Sequence, residues 1–125
     1  MRVLVCGGRA FRNRTMLDTV LDDLAERKPI TLVIEGDADG ADRLAGAWAY
    51  ERDIALQVYP AGWSRHGRGA GPIRNKQMIV EGMPDLVVAF PGGRGTANMV
   101  RQAKAAGVPV ISVDCRQTPC EPSAV

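Results

Sequence analysis

The segment "PGGRGT", residues 91–96, has the composition of an anion-binding loop. Gly92, Gly93 and Gly95 permit backbone shapes in which several N–H groups point toward one ligand. We expect a helix to begin near Thr96, because its unpaired N–H groups and positive dipole end then add to such a site. Phosphate is the usual ligand of this arrangement. The glycines alone leave open a second interpretation, a tight turn capped by Thr96.

Arginine favours the phosphate interpretation, since a guanidinium group offers phosphate or carboxylate a bidentate fork. The arginines in or beside the segments that follow predicted strands are Arg9, Arg12, Arg14, Arg65, Arg68, Arg74 and Arg94. Arg74 is the strongest candidate, because Pro72 and Asn75 indicate a helix start beside it. Its fork is expected to reach across the crevice to residues 91–96.

A second polar segment, "GDADGAD" at residues 36–42, carries Asp37, Asp39 and Asp42. Asp39 is expected to cap a helix and Asp42 to lie in its first turn, where negative charge is favourable. The alternative roles are to accept a hydrogen bond from a ribose hydroxyl or to orient an arginine. These carboxylates lack a supporting ligand cluster, so we expect no metal, and nothing in the sequence indicates a cofactor.

Cys6 and His66 are the remaining candidates for reactive groups. Cys6 ends the first predicted strand with no base in evidence, which indicates a buried small residue rather than a nucleophile. His66 lies beside Trp63 in a glycine-rich loop, where an acid, a stacking partner and a plain surface residue are all compatible with the pattern.

Five short apolar runs predict the strands that position these residues, at 2–6, 30–35, 54–59, 85–90 and 108–113. They lack clean alternation, as is typical of strands covered on both faces. Helical periodicity fills the intervals, with a third helix at roughly 73–82 and a fourth that ends at Gly107. Strand–helix alternation indicates right-handed crossovers and a parallel sheet, whose ligands bind at the carboxyl ends of the strands.

Composition sets the class of protein. The chain has 125 residues, of which 46% are hydrophobic and 24% charged, typical of a single globular domain. We expect that domain to span 1–113, followed by a flexible tail at 114–125. The net charge of +2 does not indicate a nucleic-acid or membrane partner, and no apolar run approaches a membrane span. Three cysteines without a disulfide pattern and the lack of a signal peptide favour the cytoplasm.

Four motifs, "VCGGRAF", "GDADGAD", "GPIRNKQM" and "FPGGRGTANMV", together resemble the SLOG superfamily, the Rossmann-like group that includes the Smf/DprA and LOG proteins, and within it the YspA cpYpsA-related branch. The resemblance implies an α/β three-layer sandwich with a five-stranded parallel sheet in the order 3-2-1-4-5. It also implies a nucleotide or nucleotide-derived ligand between the first and fourth strands. The implied ligand-binding residues are Gly7, Gly8, Arg9, Gly36, Asp39, Asp42, Arg74, Asn75, Gly92, Gly93, Arg94, Gly95 and Thr96.

The resemblance to LOG enzymes, which release a base from a nucleoside monophosphate, is incomplete. Met99 stands where the LOG pattern PGGxGTxxE has its catalytic glutamate, and Asn75 stands where that family has a lysine. The leading prediction is therefore a nucleotide-binding or sensor domain. An N-glycoside hydrolase is the alternative, with Arg74, Asp42 and Glu35 as catalytic candidates.

A third class, a DprA-like accessory protein for single-stranded nucleic acid, is disfavoured by the mild charge and by the small share of aromatic residues. The base, the number of phosphates and the oligomeric state, with a homo-oligomer among the alternatives, stay open.

Overall fold

The computed structural model describes residues 1–62 and 67–114. Its strands are β1 (Arg2–Cys6), β2 (Leu32–Glu35), β3 (Ala55–Val58), β4 (Leu86–Ala89) and β5 (Val110–Ser112). They form one sheet in the order β3-β2-β1-β4-β5, and every pairing is parallel. The predicted fold class and strand order are confirmed, with the last four strands shorter than the apolar runs that predicted them.

Within the described residues, four helices cover the two faces of the sheet: α1 (Arg14–Arg27), α2 (Ala41–Glu51), α3 (Ala70–Gly82) and α4 (Arg94–Ala105). A single 3₁₀ turn at Gly67–Gly69 leads into α3. Helices α1 and α2 lie on one face and α3 and α4 on the other, which gives the expected three layers.

The sheet is apolar on both faces because successive residues of a strand point in opposite directions. Val3 and Val5 of β1 pack in the cluster that contains Trp48 of α2. Leu4 packs on the opposite face, in the cluster that contains Met78 of α3. The absence of hydrophobic alternation in the sequence follows from this double coverage.

Helix α4 begins two residues before the predicted start at Thr96. Gly93 is the N-cap, and the first turn closes when the N–H of Ala97 donates to the carbonyl of Gly93 at 3.0 Å. Thr96 therefore does not cap the helix. A Cβ added to Gly92 would overlap Thr96 Oγ1, so the threonine side chain packs against the glycine loop.

Helix α2 begins after Gly40 rather than after a capping Asp39. Gly40 has a φ of +82°, a left-handed conformation that side-chain-bearing residues rarely adopt, and it makes no side-chain cap. Asp39 instead pairs with Arg43 at 3.1 Å. Asp42 lies in the first turn of α2, as predicted.

Helix α3 begins at Ala70, earlier than the predicted 73, and ends at Gly82 as expected. Pro72 falls in the first turn of α3. Backbone N–H groups there have no intrahelical acceptor, so proline, which lacks this group, is tolerated. Gly107, with a φ of +78°, follows the end of α4 and confirms the predicted helix stop.

The helices within residues 1–62 and 67–114 are too short or too polar to cross a bilayer. The predictions for His66 and Arg65 lie outside the described residues, as does the predicted tail apart from Asp114.

Candidate ligand-binding site

A cavity of about 600 Å³ opens at the carboxyl ends of β1 and β4, where the strand order reverses. Most of the predicted binding residues line it, namely Gly7, Gly8, Arg9, Asp42, Arg74, Asn75, Gly93, Arg94, Gly95 and Thr96. Gly36 and Asp39 line a neighbouring cavity of about 260 Å³, and Arg9, Ala38 and Arg74 are common to both. Gly92 lines neither of these cavities.

The backbones of the loops after β1 and β4 are in direct contact. The N–H of Gly8 donates to the carbonyl of Pro91 at 2.8 Å. A Cβ on Gly8 would lie 3.0 Å from Gly92 Cα, and one on Gly92 would lie 2.6 Å from Gly8 N. The contact at Gly92 is too close for a side chain and that at Gly8 is tighter than most, so loop packing accounts for both glycines.

Gly93 and Gly95 differ from that pair. A Cβ added at either position would meet nothing within 4 Å, so both open onto the cavity. The N-cap Gly93 has no side chain with which to cap the first turn of α4. The N-terminal end of this helix, with its partial positive charge, is therefore accessible to a ligand in the cavity.

Positive charge dominates the cavity lining. Among the described residues that line it, four are arginines, Arg9, Arg74, Arg94 and Arg101, and one has a carboxylate, Asp42. Its apolar contacts include Met78, Pro72 and Cys6, at the α3 side and the end of β1. The cavity lining thus combines cationic and apolar side chains.

Arg74 lies in the second turn of α3, and its fork does not take the predicted direction. Nη1 donates to the carbonyl of Gly36 at 2.5 Å, and Nε donates to Asn75 Oδ1 at 3.1 Å. The guanidinium is thus held at the end of β2, between the two cavities, rather than against residues 91–96. Burial lowers the pKa of Arg74, while the nearby charge of Asp42 opposes that shift.

Asp42 is buried, and its carboxylate closes the loop after β2. Its Oδ2 accepts hydrogen bonds from the N–H of Gly36 at 3.1 Å and of Ala38 at 3.2 Å. Burial raises the pKa of Asp42 to about 6, although the Ala38 hydrogen bond and the Arg74 charge counteract it. Within the described residues no donor is bonded to Oδ1.

Glu35 lines neither cavity, so the structure does not bring this candidate to the site. Its side chain is 3% exposed, and a Cβ on Gly46 of α2 would lie 2.8 Å from Oε2. The N–H of Asp37 donates to Oε1. Burial raises the pKa of Glu35 to about 7, and the charges of Asp42 and Asp37 add to that shift.

Met99 also lies away from both cavities, fully buried between α4 and the sheet. Its neighbour Asn98 lines the larger cavity instead. Cys6 is buried as expected, and burial followed by the charge of Asp42 raises the pKa of its thiol to about 12, which keeps it protonated.

Sequence reasoning missed Asn98 and Arg101 as cavity residues. They are three positions apart on α4 and therefore share the helix face that continues from Gly95. Helical spacing counted from the glycine loop is the signal that identifies them. In the part of the chain that the structure describes, no group of three or more His, Cys, Asp or Glu side chains is arranged to hold a metal.

The open parallel sheet with a cationic cavity at its switch point defines a Rossmann-like α/β protein. The chain belongs to the YspA, cpYpsA-related SLOG family, whose model matches residues 1–66. It is 39% identical to the Gene 61 protein of Mycobacterium phage D29, over 89% of this chain and 94% of that protein.

Among solved structures, the fold is similar to that of DNA processing protein A (DprA) from Streptococcus pneumoniae. The TM-score is 0.69 at 19% sequence identity, over 90% of this chain and 50% of that one. The chain therefore spans half the length of this structural relative, and the likeness is one of fold.

Proposed function

We propose that the chain binds a nucleotide or nucleotide-derived ligand in the larger cavity, as a cytoplasmic ligand-binding or sensor domain. Family membership and fold support a role related to nucleotides or nucleic acids. The observation that supports the finer proposal is the charge of the lining, in which the described residues include four arginines and one carboxylate. Such a cavity favours an anion. Its apolar side chains favour a ligand that also has an apolar part.

In this proposal the phosphate lies at the N-terminal end of α4, beside Gly93 and Gly95. Backbone N–H groups of a helix start are suited to phosphate, and the open sides of both glycines let it approach. Arg94 and Arg101 line the same end and supply compensating charge. The nucleoside then extends toward the loops after β1 and β2.

Asp42 is the group proposed for the sugar. Its Oδ2 is already bonded to two backbone N–H groups, while Oδ1 is open to a donor. A ribose hydroxyl can donate to that oxygen. Ionised Asp42 is favoured at neutral pH, since its raised pKa of about 6 still lies below 7.

A base-releasing enzyme is the second candidate, and Asp42 is the observation that favours it. A carboxylic acid in the cavity with a pKa near 6 can exchange a proton close to neutral pH, as general acid–base catalysis needs. Against this candidate, position 99 carries a buried methionine where LOG enzymes carry glutamate.

A nucleic-acid accessory role is a third candidate, favoured by the likeness to DNA processing protein A. If the arginines of the cavity bound single-stranded DNA, the affinity would fall steeply as the salt concentration rises, since each neutralised phosphate releases counterions. Titration of a labelled oligonucleotide at several salt concentrations tests it.

The proposed function is tested by mass spectrometry of the small molecules that copurify with the native protein. Isothermal titration with nucleoside monophosphates follows, and each mixture is then analysed for free base. The matched control is Arg27→Ala, which removes an exposed arginine at the far end of α1. Binding without base release is the expected result. A complete lack of nucleotide binding contradicts the proposal, and free base formed at a rate abolished by Arg74→Ala favours the enzyme.

A further inference from the structure

Asn75 is a buried polar residue in the middle of a helix. Its side chain is 5% exposed, and it lies on the face of α3 that meets α4. Asparagine favours caps and turns over helix interiors, and a buried amide is costly unless its hydrogen bonds are made. An asparagine at this position therefore needs a set of specific partners.

The partners of Asn75 come from both α3 and α4. Nδ2 donates to the carbonyl of Gly95 at 3.2 Å and to Asn98 Oδ1 at 3.0 Å, both in α4. Within α3, Oδ1 accepts from Nε of the preceding residue Arg74 at 3.1 Å. Both donors of the amide and one lone pair of its oxygen are thus used within the protein.

The chemistry of these partners fixes which way the amide points. The Gly95 carbonyl can only accept, so it requires the NH₂ group. The Arg74 guanidinium can only donate, so it requires the oxygen. A flipped amide would lose both bonds, and the guanidinium would have no acceptor at Asn75.

Two further hydrogen bonds extend the contact along both helices. Gln102 Nε2 donates to Asn98 Oδ1 at 2.8 Å and to the carbonyl of Pro72 at 3.1 Å. Asn98 Oδ1 therefore accepts hydrogen bonds from both Asn75 and Gln102, and the bond from Gln102 keeps it oriented toward Asn75. Helices α3 and α4 are joined at the base of the cavity by this polar network.

At its other end the network reaches the loop after β2. Arg74 donates through Nη1 to the Gly36 carbonyl, while the neighbouring Gly36 N–H donates to Asp42. A continuous series of hydrogen bonds thus runs from Gly95, in the first turn of α4, to the carboxylate of Asp42. It connects the proposed phosphate end of the cavity to the proposed sugar end.

We propose that Asn75 is a positioning residue that orients Arg74 in the cavity and couples its phosphate end to its sugar end, rather than a residue that contacts the ligand itself. Two of the five N–H groups of Arg74 are engaged by Asn75 and Gly36, and within the described residues the other three, including both on Nη2, make no hydrogen bond. This inference rests on the proposed function for its ligand. The arrangement of Asn75 and Arg74 does not depend on any ligand.

The experiment has one arm without ligand and one with adenosine 5′-monophosphate. In the first arm, the Nε–H signal of Arg74, assigned by its loss in Arg74→Lys, is followed by NMR in wild type, Asn75→Ala and Asn75→Asp. The control is Gln77→Ala, which changes an exposed side chain of the same helix. In the second arm, affinity is measured for Asn75→Ala, Arg74→Ala and the double variant, after thermal unfolding has shown that each is folded.

The expected result in the first arm is faster exchange of the Arg74 Nε–H with water in Asn75→Ala. Asn75→Asp keeps the acceptor and is expected to keep the protection, as is Gln77→Ala. In the second arm, Asn75→Ala is expected to weaken binding about tenfold, and the double variant to bind no more weakly than Arg74→Ala alone, since residues that act as one unit are not additive.

Two results overturn the inference. Equal exchange of the Arg74 Nε–H in wild type and Asn75→Ala shows that Asn75 does not hold Arg74. Additive losses of affinity show that Asn75 acts independently of it. If the wild type does not bind the monophosphate while the NMR arm gives the expected result, the proposed ligand is wrong and the positioning of Arg74 by Asn75 stands.

Discussion

Gly8 and Gly92 are in backbone contact where the order of the sheet reverses. Gly8 N–H donates to the carbonyl of Pro91 at 2.8 Å, and a Cβ on Gly92 would lie 2.6 Å from Gly8 N. The loops after β1 and β4 are thereby joined along one wall of the cavity. Gly93 and Gly95, in contrast, have open space beside them. Within one motif, Gly92 thus allows two loops to pack together, whereas Gly93 and Gly95 leave space for a ligand. Substitutions at Gly92 and Gly95 test these two roles separately.

Gly92→Ala is expected to destabilise the protein. The added methyl group would overlap Thr96 Oγ1 and the backbone of Gly7 and Gly8, so the two loops would have to separate. Overpacking of this kind costs roughly 1–3 kcal/mol. Urea unfolding measures the loss, and an unchanged midpoint would show that the loops are not packed as described.

Gly95→Ala is expected to have the opposite effect on stability. Gly95 lies within the first turn of α4, its Cβ position is open, and alanine is the better helix former by roughly 0.5–1 kcal/mol. The same methyl group would project toward the proposed phosphate, so affinity for a nucleoside monophosphate should fall. A variant that gains stability and keeps full affinity would mean that the ligand does not approach α4.

Arg74→Ala is expected to weaken nucleotide binding by roughly ten- to hundredfold, the usual effect of removing a charge-assisted hydrogen bond. Arg74→Lys should recover only part of the affinity, because a lysine cannot donate to Gly36 and Asn75 and to a ligand with the same planar geometry. Titration calorimetry well below the unfolding temperature is the measurement. Full affinity in Arg74→Lys would show that only the charge matters.

Glu35→Gln is expected to change how stability depends on pH. Because the pKa of Glu35 is raised in the folded state from 4.5 to about 7, the folded protein binds the extra proton and wild type loses stability as pH rises through this window. The neutral glutamine removes that loss, which is on the order of 3 kcal/mol. The difference in unfolding free energy between the two proteins should therefore grow in favour of the variant from pH 4.5 to 7. A constant difference would contradict the raised pKa.

Met99→Glu is expected to unfold or strongly destabilise the protein rather than to create an active-site acid. Met99 is 0% exposed and packs against the sheet, so a carboxylate there would be buried without a partner, at a cost of about 3 kcal/mol or more. Met99→Leu is the matched control and should cost less than about 1.5 kcal/mol. A stable Met99→Glu protein would show that position 99 can turn toward the cavity.

The sequence by itself determined the class of fold and the edge of the sheet where the site lies. Apolar runs without alternation, separated by helical periods, indicate a parallel sheet covered on both faces, and the sheet has that architecture. Glycine and arginine follow the strands, and carboxyl ends of parallel strands meet at one edge. The resemblance to a known superfamily supplied the strand order.

Only the tertiary structure decided the direction of each side chain at that edge. Sequence reasoning identified Arg74 and Asn75, but whether the guanidinium meets Gly36 or residues 91–96 depends on how α3 packs across the sheet. Glu35 was a catalytic candidate beside "GDADGAD", and Met99 stands where the LOG pattern has its glutamate, but both residues are buried away from the cavities. The physical reason is that side-chain direction depends on where a strand or helix begins. Gly40, for example, sets the start of α2 through its left-handed backbone conformation and its close contact with Gly8 and Arg9, which are distant in the chain.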